Sequence, residues 1–266
     1  MHEIIKKYNI KAKKSLWQNF LMDENILSWI VGITTINNEN ILEVWPWFWA
    51  LTQMLLNWSP KSLKLVELDT DMIDILNKRI SSKDLDISKT DFEINNIDVL
   101  KYEPTFTKYK VIANIPYYIT SPILFRFLYE LKNNPLEMII LMQKEVWDRI
   151  VSKKSSVLSL FVQKKCTVFQ EIFVPANCFS PPPKVDSTVL HFIYDDKYRE
   201  VDDKLFLDFI KKAFSQPRKK LVKNLSIAWF DTSKINEFFN EKWLNPDSRP
   251  EDLWVQDFID LYNKIF

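Results

Sequence analysis

A chain of 266 residues with 47% hydrophobic and 27% charged residues is long enough for one sizeable core, or for a main domain with a small one beside it. It contains no apolar run near the roughly 18 residues a membrane span needs, and MHEIIKKYNIKAKK lacks the apolar core and cleavage site of a signal peptide, so a cytoplasmic address is expected. Two cysteines (Cys166, Cys178) and two histidines (His2, His191) suggest free thiols rather than a disulfide framework, and no metal site.

The net charge of +1 gives no global attraction to nucleic acid, but KKYNIKAKK (6–14) and KKAFSQPRKKLVK (211–223) are two local basic patches without an acid. Glycine is almost missing. Average usage predicts roughly 19 in this length, whereas Gly32 stands alone beside ten tryptophans.

In chain order, the first strand candidate is ILEV (41–44), followed by a loop, WPWFW, and the opening of a helix. LKLVEL (63–68), FEINNI (92–97), YKVIANI (109–115) and EMIILMQ (137–143) are further runs of Ile, Val and Leu. Between them DMIDILNKRI (71–80) and SPILFRFLYEL (121–131) carry apolar residues at helical spacing. This alternation predicts an α/β fold with a mainly parallel sheet covered on both faces. TVFQEIFVP (167–175) and STVLHFIY (187–194) follow one another without a helix, which predicts an antiparallel pair at one edge. After DDKYREVDD (195–203) the pattern is helical only: LFLDFIKKAF, KKLVKNLSIAW, KINEFFNEKW and PEDLWVQDFIDLYNKIF. A boundary near 196 is therefore expected, with an α/β domain over 1–195 and a small all-helical domain over 196–266.

In a parallel sheet the loop leaving the first strand borders the crevice where nucleotide-like ligands bind. Glu67 ends the second strand, where a carboxylate can accept from ribose hydroxyls, and Asp98 ends the third in the same way, within reach of an adenine amino group. Acids at strand ends are more often solvated turn residues, so spacing alone is a weak signal. NIPYYITSPIL (114–124) adds to it. Asn114 and the carbonyl of Pro116 can both accept from an exocyclic amino group, and Tyr117 offers a ring for stacking, an arrangement suited to methyl transfer onto a base rotated out of its helix. A strand ending in an Asn-Pro turn with two packed tyrosines accounts for the segment equally well.

Seven segments in order resemble one family, the ribosomal RNA adenine N6,N6-dimethyltransferases: KKSLWQNFL (13–21), ILEVWPWFWALT (41–52), NIPYYITSPIL, QKEV (143–146), FSPPPKVDSTV (179–189), QPRKKLVKNL (216–225) and RPEDL (249–253). The resemblance implies a Rossmann-like class I methyltransferase with a mainly parallel seven-stranded sheet and a small helical C-terminal domain. It implies S-adenosylmethionine contacts at Asn19, Leu21, Trp45, Glu67, Asp98 and Asn114, and catalysis by Asn114, Pro116 and Tyr117 with Phe179 as a second aromatic surface. The donor carries a sulfonium leaving group, so alignment matters more than a strong base. Lys13, Lys14, Arg218, Lys219, Lys220 and Lys223 would contact RNA phosphates, a basic helical segment and an N-terminal arm acting on small-subunit rRNA in an immature small ribosomal subunit, with the protein as a monomer. A related group acts on a large-subunit rRNA adenine and confers macrolide resistance; FSPPPKVDSTV and RPEDL favour the small-subunit reading. One segment departs from the pattern, with Ser155 and Ser156 where relatives have Tyr-Gly.

Tryptophan stands at family glycine positions at Trp45, Trp47 and Trp49, and also at Trp17, Trp243 and Trp58. Trp29, Trp147, Trp229 and Trp254 sit at less constrained positions. UGA is glycine in some bacterial lineages and tryptophan in others, which would write one residue for the other. Swapping all ten gives eleven glycines, still short of the roughly 19 that average usage predicts. Literal tryptophans would instead fill the crevice and leave a non-catalytic RNA-binding assembly factor.

Overall fold

The computed structural model describes residues 7–8, 19–46, 50–116 and 119–266. They fall into two compact units, Met1–Lys144 with Val168–Tyr194, and Glu145–Thr167 with Asp195–Phe266. The charge-rich segment 195–203 lies at the last of the three passages between units.

The strands are β1 (Phe20–Leu21), β2 (Asn40–Val44), β3 (Ser62–Glu67), β4 (Asp91–Asn96), β5 (Lys110–Asn114), β6 (Glu137–Gln143), β7 (Cys166–Val174), β8 (Phe179–Ser180) and β9 (Ser187–Tyr194). Seven of them form one sheet in the order β4-β3-β2-β5-β6-β9-β7. The first five in that order run parallel, and β9 is antiparallel to β6. Ile41, Leu42, Val44, Val111, Ile112 and Ile139 are essentially without solvent contact. Such unbroken apolar runs belong to strands buried on both faces, which is why these segments carry no alternation. β7 and β9 are neighbours at one edge, where the sequence placed a strand pair.

In the first unit the helices are α1 (Glu24–Gly32), α2 (Ala50–Asn57), α3 (Thr70–Ser81) and α4 (Thr120–Phe125). Asp23 caps α1 by accepting from the N–H groups of Asn25 and Ile26, and Asp69 caps α3 through Asp71. The expected single helix over 121–131 changes character at Arg126, where α4 passes into a π turn, Arg126–Glu130. There the Arg126 guanidinium donates to the Tyr102 carbonyl and pairs with Glu103.

The second unit holds α5 (Lys144–Val151), α6 (Val157–Lys165), α7 (Asp203–Ala213), α8 (Leu221–Ile227), α9 (Thr232–Glu241) and α10 (Val255–Ile265). Its core is aromatic: Phe209 meets Phe230, Phe258 and Tyr262 edge to face at 5.4–6.3 Å. Two lysines are buried with it. Lys164 has no solvent contact and pairs with Asp203, while Lys165 pairs with Asp196 at 2.9 Å and Asp203 at 2.8 Å. A buried ammonium persists only with such partners. The final helical stretch divides at Leu253 and Trp254, leaving a 3-10 turn, Pro250–Asp252, ahead of α10.

Candidate active site

The sheet order reverses at β2. The chain leaves it outward through β3 and β4, then returns to lay β5 on its other side. Open α/β sheets bind ligands at such a switch point, beyond the carboxyl ends of the strands. Registers Val44↔Val66, Val44↔Ala113 and Glu67↔Asn96 align the ends of four strands, so the residues that finish them share one edge. Trp45 follows β2, Glu67 ends β3, Asp98 follows β4 by two residues, and Asn114 ends β5.

Glu67 is 2% exposed, and its Oε1 accepts from the Asp69 N–H at 2.8 Å. Asp98 is half-buried, with Oδ1 accepting from Leu100 N–H at 3.0 Å. Asn114 is half-buried, and no described residue hydrogen-bonds its side chain. The Pro116 carbonyl accepts from Ile119 N–H at 3.3 Å, leaving its second lone pair for another donor. The antiparallel pair β1–β8 sets Leu21 opposite Phe179, joining two candidates 158 positions apart in the chain. Phe179 is buried, 5% exposed. Asn19 precedes β1 and is half-buried. Tyr117, Lys13, Lys14, Trp17, Trp47 and Trp49 lie outside the described residues.

Sequence reasoning passed over Glu43. In the middle of β2, it is fully buried, accepts from Thr52 Oγ1 at 2.7 Å, and leaves Oε1 without a partner. Burial pushes its carboxyl up to about 8, against the Thr52 hydrogen bond and with help from the nearby Glu67 charge. A charge inside the apolar run ILEV was the available signal.

Leu21, Trp45 and Asn114 surround one small cavity with Leu27, Ile30 and Leu51. It offers about 10 Å³, at the lower limit of the ~10–15 Å³ a single water requires. The strand-end acids suit a nucleoside donor such as S-adenosylmethionine; the cavity does not, because with the buried Trp45 in its wall it is too small. As written, these residues do not fit that group.

A larger open cavity of about 560 Å³ lies at the opposite ends of the strands, with Lys110, Glu137 and His191 in its wall. These groups satisfy one another: Lys110 Nζ donates to Thr34 Oγ1 at 2.7 Å and lies 3.4 Å from Glu137, whose other oxygen meets His191 Nε2 at 2.9 Å. Among the described residues no group of three or more His, Cys, Asp or Glu could hold a metal ion, and no helix is long and apolar enough to cross a membrane.

In the second unit Arg218, Lys219 and Lys220 are exposed in the turn between α7 and α8, and Lys223 is exposed on α8. The expected basic helical segment is thus a turn followed by a helix. Pro217 accounts for the interruption, since it lacks an N–H and restricts the residue before it. Asn224 holds the turn: fully buried, its Nδ2 donates to the carbonyls of Ala213 at 2.6 Å and Gln216 at 3.0 Å.

A mainly parallel seven-stranded sheet with acids and an asparagine at the switch-point edge is the fold of a Rossmann-like class I methyltransferase. Solved structures agree at the level of fold: a dimethyladenosine transferase from Plasmodium falciparum (TM-score 0.78, 23% identity, covering 93% of this chain and 100% of that one) and the 23S rRNA methyltransferase ErmE (0.76, 17%, 93% and 99%). The profile described as Ribosomal RNA adenine dimethylase matches residues 9–265, and the chain belongs to that family. Its relatives include proteins named Ribosomal RNA small subunit methyltransferase A. That of Mycoplasmopsis pulmonis is 39% identical over 95% of this chain and 98% of its own, and that of Fusobacterium nucleatum is 36% identical over 96% and 98%.

Proposed function

We propose that this protein dimethylates N6 of two adjacent adenines in a small-subunit rRNA hairpin during ribosome assembly, with S-adenosylmethionine as donor. The observation that carries the reading is the meeting of Trp45, Glu67, Asp98 and Asn114 at the carboxyl ends of four adjacent parallel strands, in a chain whose family modifies rRNA adenines. The Asn114 carboxamide and the Pro116 carbonyl accept from the target amino group and hold its lone pair toward the transferred methyl. Tyr117 and Phe179 bracket the flipped base. Phe179 is buried in this structure, so in that role its ring has to become accessible when RNA binds. With glycine in place of Trp45, Glu67 and Asp98 would bind the donor's nucleoside part, with Asn19 and Leu21 closing the crevice from β1. The exposed Arg218, Lys219, Lys220 and Lys223, with Lys13 and Lys14, grip phosphates of the immature subunit and orient it. The protein works as a cytoplasmic monomer. The domains expected over 1–195 and 196–266 shift in one respect: Glu145–Thr167 goes with the helical, RNA-binding unit, and the sheet unit is the donor domain.

The test uses the protein with glycine at 45, 47 and 49, labelled donor, and unmethylated small and large subunits. Label in small-subunit rRNA, as N6-dimethyladenine, is expected; label in the large subunit alone would replace the small-subunit reading with the macrolide-resistance one. Asn114→Ala in the same background is expected to abolish transfer while leaving donor binding measurable, and full activity in that variant would remove the catalytic assignment.

A further inference from the structure

Left-handed backbone is open to glycine and, with less ease, to Asn and Asp; a β-carbon crowds the carbonyl there. Seven non-glycine residues among those described have φ between 41° and 66°: Asn38, Trp45, Ser59, Lys83, Asp196, Trp229 and Trp243. Three of these seven are tryptophan, which fills only ten of the 266 positions.

Trp229 and Trp243 hold the same place at the ends of α8 and α9. The Trp229 N–H donates to the Ser226 carbonyl and the Phe230 N–H to that of Leu225, both at 3.1 Å. The Trp243 N–H donates to Asn240 at 3.3 Å and the Leu244 N–H to Phe239 at 2.9 Å. Each pair is the nested hydrogen bonding of a Schellman ending, whose left-handed residue is usually glycine. Packing could compensate a strained backbone, but these side chains are 96% and 94% exposed. At Trp45, with φ 59°, the ring is instead buried in the one place the reaction needs open. Trp29, Trp58, Trp147 and Trp254 have no left-handed φ, so the backbone makes no such demand there.

We propose that the cell producing this protein inserts glycine at positions 45, 229 and 243, and that the glycine at 45 opens the crevice beside Asn114 to an adenosyl-sulfonium ligand. The clause on the ligand rests on the methyltransferase reading; the clause on glycine rests on backbone geometry alone. Trp229 joins the set on structural grounds, its position having looked less constrained in the sequence.

Peptide mass spectrometry of the protein purified from its own cells, with the codons read alongside, tests the first clause. Glycine at all three positions is expected, encoded by UGA; tryptophan at them overturns the proposal. For the second clause, equilibrium binding of S-adenosylmethionine is compared between the tryptophan form and a Trp45→Gly, Trp47→Gly, Trp49→Gly form. The glycine form is expected to bind at least about 100-fold more tightly; equal affinity overturns the clause. A failure to fold is separated by thermal melting of a Trp229→Gly, Trp243→Gly form, expected to gain about 2–4 °C per site, and no gain overturns the assignment at those two ends. Glycine in the native peptides with no donor binding by the glycine form would remove the proposed reaction and leave the decoding standing.

Discussion

Glu43 is a carboxyl placed where water does not reach, with one oxygen held by Thr52 and the other bare. Its ordinary value is 4.5 and burial lifts it to about 8, so at neutral pH the folded protein keeps this group mostly protonated. The sign of the consequence follows from proton counting. Below about pH 4.5 both folded and unfolded chains carry the proton, and Glu43 costs nothing. Between 4.5 and 8 the unfolded chain releases it while the folded chain retains it, so stability falls as pH rises, and levels off above 8. The full span is on the order of 5 kcal/mol. Glu43→Gln keeps the shape and removes the titration. Its urea-unfolding free energy, relative to the parent, should therefore rise steadily from pH 5 to pH 8, and a difference constant over that range would refute the burial argument. Thr52→Ala removes the one hydrogen bond that favours the charged form and should push the carboxyl higher still.

At the scale of elements, the turn carrying Arg218, Lys219 and Lys220 depends on a residue that touches no ligand. Asn224 on α8 reaches back to the end of α7 and to the start of the turn with both amide hydrogens. Asn224→Ala leaves the buried Ala213 carbonyl and the part-buried Gln216 carbonyl without this donor, a loss of roughly 1–3 kcal/mol from the buried one and less from the other, which water can reach. Thermal unfolding should show that loss, and RNA affinity should fall although no cation has been removed; Asn224→Asp should restore neither, because a carboxylate cannot donate. Buried strands were legible: ILEV, LKLVEL and EMIILMQ show the unbroken apolar runs of a doubly covered sheet. The caps Asp69, Asp202 and Asp231 emerge only from the structure. The two-residue pairing of Phe20–Leu21 with Phe179–Ser180 was not legible, since so short a strand has no periodicity and its partner lies more than 150 positions away. Nor was the π turn after Phe125, which is set by the tertiary grip on Arg126 rather than by local preference. In the site, Glu67, Asp98 and Asn114 could be placed because strand ends are visible in sequence, whereas Glu43 became important only once its neighbours had excluded water.

For the whole molecule, a net charge of +1 means that binding a polyanion must come from where the charges lie. The 211–223 segment concentrates them, and its members are unequal. Lys220 pairs with Asp247, and Lys212 pairs with Asp208 at 2.6 Å, so each brings a carboxylate near any phosphate it meets. Arg218 and Lys219 have no ion pair among the described residues and stand exposed in the turn. Each should release about one counterion on meeting a phosphate, so Arg218→Ala and Lys219→Ala should each flatten the plot of log affinity against log salt by about one. Lys220→Ala should flatten it less, and Asp247→Asn should strengthen binding at low salt by unmasking Lys220. The measurement is rRNA-fragment binding between 50 and 300 mM salt with the folded state checked in each variant. Equal slopes for all four proteins would mean that this turn does not face the nucleic acid, and that the lysines preceding β1 carry the contact instead.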